Sequence, residues 1–256
     1  MSDRATVLDQ LAAAARERAA TLRETVGYDE LYERAWRFEK RDFAGALAAP
    51  GLAVISEIKR ASPSAGAIRE VDPAGWAKRY ESEGASCLSV LTEPDRFKGS
   101  LEDLDAARGS VSLPVIRKDF TVDEIQVLEA ATRADAVLLI VALFDAGSLA
   151  RYISLAHDLD LTALVEVHDE PEAETALEAG ARVVGVNNRD LRDFTVDLAT
   201  TERLAPRLAG ATLVAESGVK TAADGRRLRD AGADAVLVGE SAMRRPELVA
   251  ELSALP

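Results

Sequence analysis

Apolar residues in this chain come in short unbroken runs rather than in alternation with polar ones. Eight runs stand out, at 52–58, 86–91, 114–118, 136–141, 163–167, 183–187, 212–215 and 235–238. Such runs predict parallel strands covered on both faces. Between them lie amphipathic stretches that open on helix-start signals: Asp72-Pro73, Asp123, Glu170-Pro171 and Thr221. The passage from helix to strand also repeats itself, as Gly84-Ala85-Ser86-Cys87-Leu88, Gly180-Ala181-Arg182-Val183-Val184 and Gly232-Ala233-Asp234-Ala235-Val236. Arg133-Ala134-Asp135-Ala136-Val137 is a variant without the glycine. A glycine just past a helix takes the left-handed conformation that ends it.

Eight strand–helix units predict an α/β fold, a (β/α)8 TIM barrel forming one domain over residues 1–256. A doubly wound open sheet is the alternative, but its dinucleotide fingerprint G-x-G-x-x-G does not occur in the sequence. Residues 1–50 precede the first strand as a helical extension. Leu8, Leu11, Ala15, Ala19 and Leu22 share one helix face, and Leu31, Ala35 and Phe38 suggest a second short helix. Periodicity leaves two roles open for the extension: a cover for the bottom of the barrel, or a segment that narrows its mouth.

Charge narrows the partners. The 256 residues carry 31 Lys and Arg against 44 Asp and Glu, a net charge of −13. That balance argues against a nucleic-acid or anionic-membrane partner, both of which need a basic surface. The longest apolar run, 136–144, is far short of the ~20 residues of a membrane span, and Arg16, Glu17 and Arg18 interrupt the alanines where a signal peptide would be apolar. A single cysteine, Cys87, excludes an internal disulfide and fits a reducing cytoplasm. With two histidines beside it, His157 and His168, it leaves too few soft ligands for a structural zinc. A soluble cytoplasmic protein is expected, monomeric rather than oligomeric. Only six of the basic residues are lysines (Lys40, Lys59, Lys78, Lys98, Lys118 and Lys220). An acidic, lysine-poor surface fits a salt-rich cytoplasm, and a GC-rich genome explains it equally well.

Barrel chemistry sits at the C-terminal ends of the strands, and that is where the charges gather. The first run ends Ser56-Glu57-Ile58-Lys59 and the third Arg117-Lys118-Asp119; the fifth carries Val165-Glu166-Val167, the sixth ends Asn187-Asn188-Arg189 and the seventh Glu216-Ser217-Gly218. Side chains of one barrel layer come from alternate strands, so Glu57 or Lys59, Lys118, Glu166 and Glu216 are able to meet in one small volume. Internal ion pairs closing the barrel would explain a single Glu–Lys pair. Five charges are harder to explain that way, because desolvation costs several kcal/mol per ion. Lysines and glutamates without His or Asp ligands suggest acid–base chemistry on an anionic substrate. Ser217-Gly218 after the seventh run and Gly239-Glu240-Ser241 after the eighth lie in the two loops that commonly hold phosphate in such barrels.

These residues resemble the indole-3-glycerol-phosphate synthases of tryptophan biosynthesis. The likeness rests on Glu57-Ile58-Lys59-Arg60-Ala61-Ser62-Pro63-Ser64, Leu91-Thr92-Glu93 with Phe97-Lys98-Gly99-Ser100, and Leu113-Pro114-Val115-Ile116-Arg117-Lys118-Asp119-Phe120. Val165-Glu166-Val167-His168, Gly185-Val186-Asn187-Asn188-Arg189-Asp190-Leu191, Ala215-Glu216-Ser217-Gly218-Val219 and Val238-Gly239-Glu240-Ser241-Ala242-Met243 follow in the family's order. Ala65 and the Pro94-Asp95-Arg96 loop depart from the pattern, and the first fifty residues match it loosely.

The resemblance implies a lyase that closes 1-(2-carboxyphenylamino)-1-deoxyribulose 5-phosphate to indole-3-glycerol phosphate with loss of CO2 and water, without a cofactor. It implies Lys118 as general acid, with Lys59, Glu57 and Glu166 sharing the later proton transfers. Asn187, Arg189 and Glu216 would position the substrate; Ser62, Ser217, Gly218, Gly239 and the backbone of Glu240 would hold its phosphate; Phe97, Phe120 and Leu191 would wall the aromatic ring. Ordinary core packing is the competing explanation for these last three. Two rivals remain. Phosphoribosylanthranilate isomerase places a cysteine at the end of its first strand, where this chain has Glu57-Ile58-Lys59. A barrel that binds a sugar phosphate without turnover would have little use for so many charges. Cys87, inside the second run, is expected to be a small buried hydrophobe.

Overall fold

The computed structural model of the chain describes residues 6–63, 66–190 and 194–256. Eight parallel strands close into a barrel: β1 (Ala53–Ile58), β2 (Cys87–Leu91), β3 (Val115–Lys118), β4 (Ala136–Ile140), β5 (Thr162–Val167), β6 (Val183–Asn187), β7 (Thr212–Glu216) and β8 (Ala235–Val238). Strands adjacent in sequence are adjacent in space, and β1 pairs with β8 to shut the ring. The register runs Ile55 to Leu237 on one side of β1 and Ile55 to Cys87 on the other. The expected (β/α)8 fold is what forms. Leu52, Ser86, Pro114 and Val141 fall just outside the strands, while Thr162 and Glu216 join them.

Each strand is buried twice, which is why its sequence does not alternate. Ile55, Cys87, Ile116, Leu138, Leu164 and Val214 point into the barrel and pack on one another. Val54, Val90, Val115, Val137, Val165 and Val184 point outward into the layer shared with the helices. That helical ring is α4 (Pro73–Ser82), α5 (Leu101–Ser110), α6 (Glu124–Ala131), α7 (Ala146–Asp158), α8 (Glu170–Glu178), α9 (Ala199–Leu204) and α10 (Ala222–Asp230), with α11 (Glu240–Arg244) and α12 (Leu248–Ser253) after β8. Gly84, Gly180 and Gly232 end their helices at φ 89°, 89° and 105°, as the repeated junction required. Asp123 and Thr221 cap α6 and α10 with reciprocal capping boxes. The cap of α8 is Asp169, one residue before the Glu170-Pro171 signal. No described helix is long and apolar enough to cross a membrane.

The extension forms three helices, α1 (Val7–Thr25), α2 (Tyr28–Arg37) and α3 (Phe43–Leu47), of which the apolar periodicity indicated two. It performs both of the roles left open. Phe43 and Leu47 of α3 are fully buried and plug the barrel bottom beneath Ile55, Cys87 and Ile116. Arg41 holds α3 there, its backbone N–H donating to the buried Asp135 at 2.8 Å and its guanidinium to the Leu113 carbonyl at 2.8 Å. At the other end, Val7, Leu8 and Leu11 of α1 reach the mouth. Cys87 is buried in the barrel interior, where desolvation pushes its thiol up.

Candidate active site

A cavity of about 600 Å3 opens at the C-terminal ends of the strands, within the range of small-molecule sites. Strand alternation decides which charges enter it. In β3, Ile116 and Lys118 point inward while Arg117 points outward, buried between the strand and α6 against Asp119 and Glu129. The same alternation brings Glu57, Glu166 and Glu216 to the inner layer two residues above Ile55, Leu164 and Val214, and Asn187 four above Val183.

Two ionic groups result. Lys118 Nζ lies 2.7 Å from Glu216 Oε2 and 3.4 Å from Glu166 Oε2. Glu166 accepts from Asn187 Nδ2 at 3.0 Å through its other oxygen, and Asn187 Oδ1 accepts from the Arg189 backbone N–H at 3.0 Å. Across the cavity Lys59 Nζ lies 2.8 Å from Glu57 Oε1, while Ser89 of β2 donates to Glu57 Oε2 at 3.4 Å. Burial opposes the charge on Lys118, but the carboxylates of Glu216, Glu166 and Glu57 outweigh it and hold the ammonium above the ordinary lysine value. Burial pushes Glu216 up to about 7, offset only in part by Lys118 and reinforced by Glu166 and Glu57. Burial also acts to raise Glu57, yet Lys59 and Lys118 prevail and keep it below the usual carboxylate range. The site therefore holds a firmly protonated amine beside a carboxylate that burial makes harder to ionise, a pairing suited to acid–base work.

Two glycines make room for these charges. A Cβ at Gly185 in β6 would lie 2.1 Å from Glu216 Oε1, and one at Gly239 would lie 2.4 Å from Glu57 Oε1 and 2.7 Å from Lys59 Nζ. Gly239 thus abuts the second ion pair as well as opening α11, a role beyond the phosphate contact expected of it. The loop after β7 turns sharply, with Ser217 at φ 66° and Gly218 at φ 92°. A left-handed serine needs support. Asn188, buried at the end of β6, donates from Nδ2 to the Ser217 carbonyl at 3.2 Å, and its Oδ1 accepts from Thr201 Oγ1 of α9 at 2.8 Å.

The family model and the curated relatives point to one family. The family model described as indole-3-glycerol phosphate synthase matches residues 8–255. An indole-3-glycerol phosphate synthase of Streptomyces griseus is 49% identical over 92% of this chain and 89% of its own length. That of Mycolicibacterium vanbaalenii is 50% identical over 92% of this chain and 88% of its own. The chain belongs to the indole-3-glycerol phosphate synthase family. A solved structure, thiamine phosphate pyrophosphorylase from Pyrococcus furiosus, superposes with TM-score 0.58 at 16% identity over 78% of this chain and 93% of that one, a likeness of fold alone.

Of the site residues expected for an indole-3-glycerol phosphate synthase, the structure brings together Glu57, Lys59, Lys118, Glu166, Asn187, Arg189 and Glu216 in the cavity wall. Ser62, Ser217, Gly218, Gly239 and Glu240 line the same cavity, as do Phe97 and Phe120. Leu191 lies outside the described residues. The Phe97 and Phe120 rings stand 6.2 Å apart at 41°, a tilted aromatic pair. Absent from the expected site residues were Leu138 and Ile140 of β4, which form an apolar floor, and Lys220 and Arg244 near the glycine loops, while the α1 residues at the mouth answer to one of the two roles left open for the extension. Leu8 and Leu11 were visible as an apolar stripe, and the run that became β4 was legible as a strand but not tied to the site because it carries no charge. Lys220, three residues past Ser217, and Arg244, three past Ser241, were cations whose places in the sequence pointed to the phosphate loops.

Proposed function

We propose that this enzyme closes the indole ring of indole-3-glycerol phosphate from 1-(2-carboxyphenylamino)-1-deoxyribulose 5-phosphate, with Lys118 as the acid of the first step. The observation that carries the assignment is the Lys118 ammonium, buried in the cavity and held by Glu216 and Glu166 at 2.7 and 3.4 Å. As the ring carbon bearing the carboxylate attacks the ketone, charge builds on the ketone oxygen. Lys118 donates a proton there, leaving a hydroxyl, and CO2 departs to restore a conjugated enamine. Water must then leave from the same carbon. Lys59, kept in place by Glu57 across the cavity, supplies that proton, and Glu166 accepts one from the ring system. No net oxidation occurs, so the balance is one CO2 and one water per product.

Asn187 and Arg189 orient the substrate carboxylate, and Glu216 accepts from a sugar hydroxyl through Oε1, which is buried without a hydrogen-bond partner among the described residues. Ser62, Ser217, Gly218, Gly239 and the Glu240 backbone take the phosphate, with Lys220 and Arg244 nearby to balance its charge. Phe97 and Phe120 wall the aromatic ring, and Leu191 is assigned with them on the family motif. The working unit is taken as a monomeric barrel with residues 1–50 as its extension. The buried thiol supports a cytoplasmic setting.

The deciding experiment follows indole fluorescence after the carboxyphenylamino-deoxyribulose phosphate is added to the purified protein. Turnover in the parent and its loss in Lys118→Met are expected. No indole product from folded parent protein would overturn the reading.

A further inference from the structure

A second, smaller cavity of about 260 Å3, lined by Arg18, Thr92, Arg117 and Asp119, contains an ionic cluster that the chemistry above does not use. Its centre is Arg18 of α1. The Arg18 Nη2 donates to Asp119 Oδ1 at 3.0 Å, and Nη1 points toward Glu93 Oε1 at 3.9 Å, buried without a hydrogen bond of its own among the described residues.

Both carboxylates do backbone work at the active site. Glu93 is fully buried just after β2 and gathers the N–H groups of Asp95, Arg96 and Phe97 at 2.9, 2.7 and 3.0 Å. That contact folds the loop carrying the Phe97 ring. Asp119, just after β3, accepts from the Phe120 N–H at 2.8 Å and from Thr92 Oγ1 at 2.7 Å. One guanidinium therefore faces the two carboxylates that set the backbone of Phe97 and of Phe120. A planar fork suits that task, since one nitrogen donates to Asp119 while the other turns its charge toward Glu93.

The other end of the connection is α1 itself. Arg18 lies seven residues, two helical turns, beyond Leu11, and so on the same face about 10 Å along the axis. Leu11, with Val7 and Leu8 one turn earlier, lines the active-site cavity. Fixing Arg18 fixes where those side chains stand against the mouth.

We propose that Arg18 is a positioning residue for the aromatic half of the substrate, tying α1 to the paired backbones of Phe97 and Phe120 through Glu93 and Asp119. The proposal rests on the reading that these two rings wall the substrate's ring. Neither end of Arg18 touches the groups assigned to proton transfer or the loops assigned to phosphate. Its loss should therefore act on one end of the substrate only.

The test compares Arg18→Met, Arg18→Lys and Phe120→Leu in the full-length enzyme, using anthranilate and inorganic phosphate as separate competitive inhibitors. Arg18→Met should raise KM and the anthranilate inhibition constant by about tenfold, the scale of a lost charged hydrogen bond. The phosphate constant and the pH dependence of kcat should stay as in the parent, and Arg18→Lys should recover part of the loss. Equal weakening of both inhibitors would mean a general structural role and overturn the proposal. So would an unchanged anthranilate constant in Arg18→Met while Phe120→Leu weakens it. If Phe120→Leu also leaves anthranilate unaffected, the ring binds elsewhere and the underlying reading fails instead. Should Arg18→Met not fold, the ratio of the two constants in Arg18→Lys decides by the same criterion.

Discussion

Gly185 and Glu216 occupy one space: the carboxylate oxygen Oε1 of Glu216 on β7 sits 2.1 Å from where a Cβ of residue 185 on β6 would be. The two strands are hydrogen-bonded neighbours, with Gly185 paired to Val214 and Asn187 to Glu216. A bare backbone at 185 is what lets a buried carboxylate swing across to Lys118. Gly185→Ala should fold with a modest loss of stability, on the order of 1–3 kcal/mol for overpacking, and lose kcat severely because Glu216 is pushed off the ammonium. Thermal melting together with steady-state kinetics reads both effects. A variant with parental kcat would show that Glu216 is not needed in this position.

Lys118→Met keeps the bulk of the side-chain stem and removes the proton and charge. It should fold, bind a product-like ligand, and lose kcat by at least ~10²-fold, the usual scale of general acid catalysis. Lys98→Met is the control: that lysine is exposed in the loop after β2, and its loss should cost far less. Near-parental turnover by Lys118→Met would transfer the acid role to Lys59.

Glu216 should leave a signature in stability against pH. Its carboxyl titrates near 7 in the folded protein because it is buried, against an ordinary value of 4.5. Between those values the folded state holds a proton that the unfolded state has released, so its contribution to stability falls as pH rises. A glutamine cannot ionise, so Glu216→Gln should gain in melting temperature relative to the parent between pH 5 and 8. A difference that stays constant across that window would contradict the assignment.

The glycines of the two phosphate loops should separate in kinetics. Gly218 has φ 92°, and a Cβ there would meet Val196 and Leu198 at 2.7 and 2.8 Å. Gly218→Ala should raise KM and the inhibition constant of inorganic phosphate much more than it lowers kcat, since ground-state binding is what is lost. Gly239→Ala should lower kcat as well, because its Cβ would displace the Glu57–Lys59 pair. Equal behaviour of the two variants would remove the distinction.

The acidic surface predicts a salt response. If the net charge of −13 is an adaptation to a salt-rich interior, the melting temperature should climb from low to molar KCl as screening relieves self-repulsion. A flat curve would leave base composition as the explanation for the scarcity of lysine.

The barrel was legible in the sequence because strand burial on two faces and the glycine that ends three of the helices are local, periodic demands, met at Gly84, Gly180 and Gly232 alike. The convergence of Glu57, Lys118, Glu166 and Glu216 was legible too, since alternation and the alternate-strand layering of a barrel are geometric rules. Distances between strands do not appear in any window of sequence. That Lys118 pairs with Glu216 and Glu166 while Lys59 pairs with Glu57, that Gly185 and Gly239 yield space to carboxylates, and that β4 supplies an apolar floor were decided by how the closed ring brings the strands together. The extension shows the same division. Its helical stripe could be read from Leu8, Leu11, Ala15, Ala19 and Leu22, yet Arg18 stands 101 residues from Asp119 and 75 from Glu93 in the chain. Only tertiary packing makes them neighbours, because a charge finds its partner through burial and not through sequence spacing.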